Sequence, residues 1–160
     1  MIVVVDSSIL ITLARIGRLG LLQHATDVIH IPESVFVEVV QKGAGRPGSA
    51  ELAQADWLLR RTVRDVAAVD RLRTRLGRGE SEAIVLAKEL GADFLIIDDA
   101  AARQVAEAEG QRVVGLLGWL IHLKQRGIVA AIKPVVDEML ASGFYLDEQR
   151  YQSILRRAGE

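Results

Sequence analysis

The amino-acid sequence predicts an α/β fold: a mostly parallel central sheet covered by helices on both sides. Two apolar runs, Ile2-Val3-Val4-Val5 and Phe94-Leu95-Ile96-Ile97, read as strands buried on both faces. Helical patterns alternate with such runs along the chain, and that rhythm calls for right-handed crossovers between parallel strands. Both runs also end in carboxylates, Asp6 and Asp98-Asp99, at the strand end where open parallel sheets place their ligands. If the two strands are neighbours, their acids converge.

At 160 residues the chain forms a single domain over 1–160, large enough to bury a core without staples. It has no cysteine, which excludes disulfides and thiolate metal sites and fits a cytoplasmic protein. The opening MIVVVDSS has no basic n-region, and its apolar run is too short to cross a bilayer, so neither signal peptide nor membrane anchor is expected. Hydrophobic residues make up 50% but aromatics only 4%, so the core should be aliphatic. So large an apolar share in a small domain also predicts a homodimer through apolar surface left on the helices. The net charge of −1 does not announce a nucleic-acid partner, which would have to be met by a local patch.

After Asp6, residues Ser7 to Ile16 carry Ile9, Leu10, Leu13 and Ile16 on one helical face, with Ser7 or Ser8 as N-cap. Gly17 and Gly20 separate a short second helix ending near Gln23. Val28-Ile29-His30-Ile31 is a strand, and Pro32 suits the first turn of the next helix, Glu33 to Gln41. That helix turns Val35, Phe36, Val39 and Val40 inward and carries Glu38 on its flank. Lys42 to Gly48 is a glycine-rich loop holding Pro47. Trp57-Leu58-Leu59 and Thr62-Val63 suggest a brief extended piece, and a helical pattern runs from Asp65 to Leu76.

Gly77-Arg78-Gly79 punctuates the chain before the helix Glu80 to Leu90, whose stripe is Ala83, Ile84, Leu86, Ala87 and Leu90, with Gly91 as its C-cap. At about 100° per residue this stripe centres nearer Glu80 than Glu82, so Glu80 should point inward and Glu82 outward. After the strand ending at Ile97 come a helix from Ala100 to Glu109, the stop Gly110 and a strand Arg112-Val113-Val114. Helices over Leu116–Gln125, Ala130–Ala141 and Asp147–Arg157 complete the chain.

The candidate acids are Asp6, Glu38, Glu80, Glu82, Asp98 and Asp99. Carboxylates gathered without cysteine or a histidine pair suit hard divalent cations such as Mg²⁺ or Mn²⁺, which can activate water in phosphodiester cleavage. Taken singly, each acid reads equally well as a surface charge or a helix cap. His24, His30 and His122 have no ligand spacing, and no phosphate-binding glycine loop or nucleophile elbow is present.

The segments VVVDSSILITLARIGRLGLL, IPESVFVEVV, GRGESEAIVLAKELGADFLIIDDAAARQVAEAEG, VVGLLGWLIHLKQRGIV and ILRRAGE together resemble a PIN-like domain. More narrowly, they are similar to the DUF3368 branch, related to the toxin nucleases of toxin-antitoxin pairs. The resemblance implies a three-layer α/β/α fold and a metal-dependent nuclease that cuts single-stranded RNA, with an antitoxin as the partner expected of a toxin. It matches Asp6, Glu38, Glu80 and Asp99 to the catalytic acids, with Asp98 where many relatives have a polar neutral residue and Ser8 where they keep a small polar one; Asp6, Glu80, Asp98 and Asp99 are the expected metal ligands, with Ser8 and Glu82 in support. Ile9 replaces the proline expected after D-S-S, and Glu80 stands where toxin relatives usually have Asp.

Arg60, Arg61, Arg64, Arg71, Arg73, Arg75 and Arg78 make the densest basic stretch, interleaved with Asp56, Asp65 and Asp70. They read either as a solvated mixed-charge helix or as a patch steering RNA phosphates toward Glu80. Two other functions compete with the nuclease. An aspartyl-phosphate phosphatase would need a second Asp two residues after Asp6, where Ser8 stands. A non-catalytic scaffold binding RNA or protein would be marked by a missing acid, and none is missing.

Overall fold

A computed structural model describes residues 1–26 and 28–160. Strands β1 (Val3–Val5), β2 (Ile29–Pro32), β3 (Leu58–Arg61), β4 (Phe94–Ile96) and β5 (Val113–Val114) pair in parallel in the order β3-β2-β1-β4-β5. The chain first builds outward from β1 to β3, then crosses back to lay β4 on the other side of β1. The strand order therefore reverses between β1 and β4, where an open parallel sheet leaves a crevice at its C-terminal edge. Val5 is level with Ile96, and the Asp6 amide donates to the Ile96 carbonyl at 3.1 Å, so this pairing persists up to the carboxylates.

Alternation along the strands divides the core in two. Val3, Val5 and Ile96 face the layer of α1 (Ser7–Arg15), α8 (Leu116–Gln125), α9 (Lys133–Ala141) and α10 (Glu148–Arg157), packing with Ile9, Leu13, Trp119, Val136 and Ile154. Val4, Leu95 and Ile97 face α6 (Arg78–Leu90) and α7 (Ala100–Ala108), packing with Ala83, Ile84, Leu86, Ala102 and Ala106. This is the expected three-layer α/β/α fold. The small residues on α6 and α7 let these helices approach the sheet closely.

Several elements differ in detail. Strand β2 extends through Pro32, which flanks α3 (Glu33–Phe36) in extended conformation rather than entering its first turn. The expected helix to Gln41 widens after Phe36 into a π-helical turn, Val37–Gln41, in which the Lys42 amide reaches back to the Val37 carbonyl. Such an inserted residue re-aims the side chains that follow it, and these turns concentrate at functional sites.

The glycine-rich loop leads into a short helix α4 (Ser49–Ala53) that the sequence pattern did not suggest. Gly48 takes φ 81° there, and a Cβ on it would lie 2.3 Å from the Ala14 Cβ, so only glycine lets the loop close against α1. The extended piece is β3, taking in Arg60 and Arg61. Helix α5 (Val66–Leu72) is capped by Asp65, which accepts from the Ala68 amide, and it ends before Leu76. The short α2 (Gly20–Gln23) lies where the two glycines place it.

Among the described residues, the large apolar side chains left exposed are Met1, Ile2, Leu59, Val66 and Tyr145. Met1 and Ile2 precede β1, Leu59 lies in β3, Val66 in α5 and Tyr145 in the loop before α10, so the fully exposed large apolar side chains do not gather on the helices. No helix among the described residues is long and apolar enough to cross a membrane.

Candidate functional site

Asp6 is the centre of the crevice. Although it is only 3% exposed, its Oδ1 is buried without a hydrogen-bond partner, while Oδ2 accepts from the Ser8 hydroxyl at 3.2 Å. Burial is the main influence on its carboxyl and pushes the pKa up. The Ser7 amide and Ser8 hydroxyl pull it down, and the nearby charges of Glu80 and Glu38 push it up again. An unpaired buried polar atom costs about 1–3 kcal/mol, so this position is poorly satisfied by the protein alone.

The neighbouring acids come from two helices. Glu38 reaches in from the π-helical turn. A Cβ placed on Gly79, in the first turn of α6, would lie 3.6 Å from Glu38 Oε2 and 3.8 Å from Asp6 Oδ1. The start of α6 is therefore framed by both carboxylates, and its partial positive charge favours them there. Glu80 is half-buried at the same end, folded back so that Oε2 accepts the Gly77 amide at 2.9 Å in a capping arrangement. Its charge is close enough to act on Asp6. Thus the structure brings Asp6, Glu38 and Glu80 together, with Glu80 also serving its own helix.

The acids after β4 diverge, for the same reason that strand side chains alternate. Asp98 turns to the α8 layer, where its Oδ1 accepts the Leu116 amide at 2.8 Å. A Cβ on Gly115 would come within 2.7 Å of that oxygen, so glycine is required beside it. Burial raises the Asp98 pKa, while the Leu116 amide and the Arg103 guanidinium lower it. Asp99 is exposed and accepts the Ala102 amide at 2.8 Å as N-cap of α7. Hence Asp99 is used at the start of α7, just beyond the strand paired with β1, whereas Asp98 is engaged on the α8 layer. Among the described residues no three carboxylate or imidazole groups are drawn together at metal-ligating spacing.

Glu82 lies away from these acids, as its helical position predicts, but it is not open to solvent. Its side chain is 12% exposed and accepts from Arg78 Nε at 2.8 Å, in a groove between β3, α5 and α6 that also holds Arg73, Asp70 and Glu33. Arg71 lies beside Lys88, Asp65, Glu89 and Glu109. Of the basic stretch, Arg78 is paired with Glu82, Arg71 and Arg73 line grooves that also hold carboxylates, and all of these, like Arg75, are exposed. The sequence reading did not single out Arg103, Arg150 and Arg157, which line a cavity next to Asp98. Their signal was the spacing of Arg150 and Arg157 on one face of α10.

In comparisons with known proteins, the model of the family DUF3368, described as a PIN domain, matches residues 2–160. Among solved structures, the chain is similar to a PilT N-terminus domain protein from the hyperthermophilic archaeon Sulfolobus solfataricus P2. The two share 17% identity over 92% of this chain and 98% of that chain, with a TM-score of 0.49. A comparison with curated proteins finds no match.

Proposed function

Because the chain belongs to the PIN-domain family DUF3368, we propose that it is a metal-dependent nuclease that hydrolyses phosphodiester bonds of single-stranded RNA at the β1–β4 crevice. One observation carries this reading most directly. A carboxylate oxygen of Asp6 is buried without a partner, at the reversal point of the sheet, with Glu38 and Glu80 beside it. Carboxylates that repel one another around an unsatisfied oxygen are what a hard cation relieves, and an all-oxygen donor set fits Mg²⁺ or Mn²⁺.

In this reading Asp6, Glu38, Glu80 and Asp99 hold the ion, which when bound supplies water activation and charge stabilisation at the leaving oxygen. Ser8 orients Asp6 by donating to Oδ2. Glu82, paired with Arg78, steadies the first turn of α6. Asp98 fixes the start of α8 through Leu116 and acts as a positioning residue. Glu38 and Asp99 lie toward solvent, where an incoming strand can reach them. A toxin role restrained by an antitoxin is a narrower form of the same reading, which a short antitoxin-like reading frame beside this one would favour.

The purified protein is expected to cleave single-stranded RNA with Mn²⁺ or Mg²⁺, and Asp6→Asn or Asp99→Asn to lose at least about 100-fold of that activity while remaining folded. Cleavage that persists in a chelator, or in both variants, would sink the proposal. RNA binding without cleavage under every metal condition would favour the non-catalytic scaffold. That second reading draws on Glu80 being occupied as a helix cap.

A further inference from the structure

We propose that the cavity of about 540 Å³ beside β5 is a nucleotide subsite for the strand to be cut, in which Tyr145 stacks on a base and Arg150 and Arg157 hold its phosphate. The inference rests on the nuclease reading and extends it to how substrate is held away from the acids.

The cavity lies between the end of β5 at Gly115, Arg103 of α7, the Phe144–Leu146 loop and α10. On α10, Arg150, Ser153, Ile154 and Arg157 follow the i, i+3, i+4, i+7 pattern and form one face. Ile154 is buried in the main core, so this face is anchored and its two guanidinium groups are held at the cavity rim. A guanidinium presents a planar fork of donors that suits phosphate oxygens.

Charge in the cavity is one-sided. Among the described residues, Asp98 is the one carboxylate lining it, and its Oδ1 is already bonded to the Leu116 amide with Arg103 nearby. Arg150 has an ion pair with Asp147 at 3.5 Å, but both side chains are well exposed, and such a pair is easily exchanged for a phosphate.

Tyr145 supplies the second element. Tyr145 is 83% exposed at the cavity wall, and a solvent-facing aromatic beside guanidinium groups is the arrangement that single-stranded nucleic acids use for stacking. An acidic peptide would use the arginines but has no need of the ring. Position also fits. The end of β5 is two strand spacings from Asp6 along the same sheet edge, about 10 Å, so a short continuation of a strand at the acids reaches the cavity.

The test is anisotropy of a short labelled single-stranded RNA, titrated in EDTA over a series of salt concentrations, beside a cleavage assay with Mn²⁺. The double variant Arg150→Gln, Arg157→Gln is expected to bind at least about tenfold more weakly and to flatten the salt slope by about 0.7, for the one phosphate no longer neutralised. Tyr145→Ala is expected to bind about tenfold more weakly with the slope unchanged, and Tyr145→Phe to restore binding. All three positions lie at the surface, and matched circular dichroism confirms that the variants fold. Wild-type binding and cleavage with unaltered binding by every variant would overturn the subsite and leave the nuclease standing. A wild type that neither binds nor cleaves would overturn both. Weakening by the arginine changes alone, with polyglutamate displacing the RNA and Tyr145→Ala silent, would overturn the nucleotide assignment in favour of an acidic protein segment.

Discussion

At the scale of single residues, Asp6 and Asp98 show how similar burial serves different ends. Both have raised pKa values for the same first cause, removal from water. Asp98 answers it with a hydrogen bond from Leu116, whereas Asp6 leaves one oxygen unpaired. For Asp6 the folded pKa lies above the unfolded one. The resulting stability is full below the unfolded value and is lost as pH rises through the folded value. In metal-free protein, Asp6→Asn should therefore raise stability at neutral pH by about 1 kcal/mol and remove part of the decline seen on raising pH from the acid range. Urea unfolding at several pH values checks this, and a neutral-pH loss of stability in Asp6→Asn would mark a structural carboxylate. Added Mn²⁺ should raise the melting temperature of the wild type and not of the variant.

At the scale of elements, the boundaries follow caps more than periodicity. The alternation of Phe94 to Ile97 was readable, and so was the carboxylate at its end, but which acid faced which layer depended on where the strand stopped. Asp98 keeps the strand's parity and meets α8, and Asp99 begins α7. The expectation that Glu80 points inward was readable from the α6 stripe, but its bond to Gly77 was not, because the helix begins at Arg78, two residues earlier than the apolar pattern. The π-helical turn was hidden too, since one inserted residue leaves no mark in the spacing of Val35, Val39 and Val40. If Asp98 is the cap of α8, Asp98→Ala should cost about 1–2 kcal/mol while Asp98→Asn costs much less, as measured by thermal unfolding. Equal effects of the two changes would show that charge, and not the hydrogen bond to Leu116, is what Asp98 contributes.

At the scale of the whole molecule, the layer arrangement was legible because buried parallel strands and amphipathic helices differ plainly in pattern. Composition does not settle assembly, because it counts apolar residues without saying which face water. Fully buried side chains from Val3 to Met139 absorb the surplus, and Leu59, Val66 and Tyr145 remain exposed on different elements. The homodimer loses its motive on this count, and light scattering at high micromolar concentration is expected to return a monomer. A stable dimer there would require an interface built from polar surface. The reversal of strand order has a consequence in time as well as in space. Asp6 belongs to the first strand laid down and Asp99 to the far side of the β1–β4 pairing, which the Ile2 amide and Asp93 join across 91 positions of chain. Closing so long a loop is an entropic cost that must be met before that contact returns anything. The acids therefore meet only once the slow, long-range pairing is complete, so a nascent or partly refolded chain carries its carboxylates apart and has no assembled crevice.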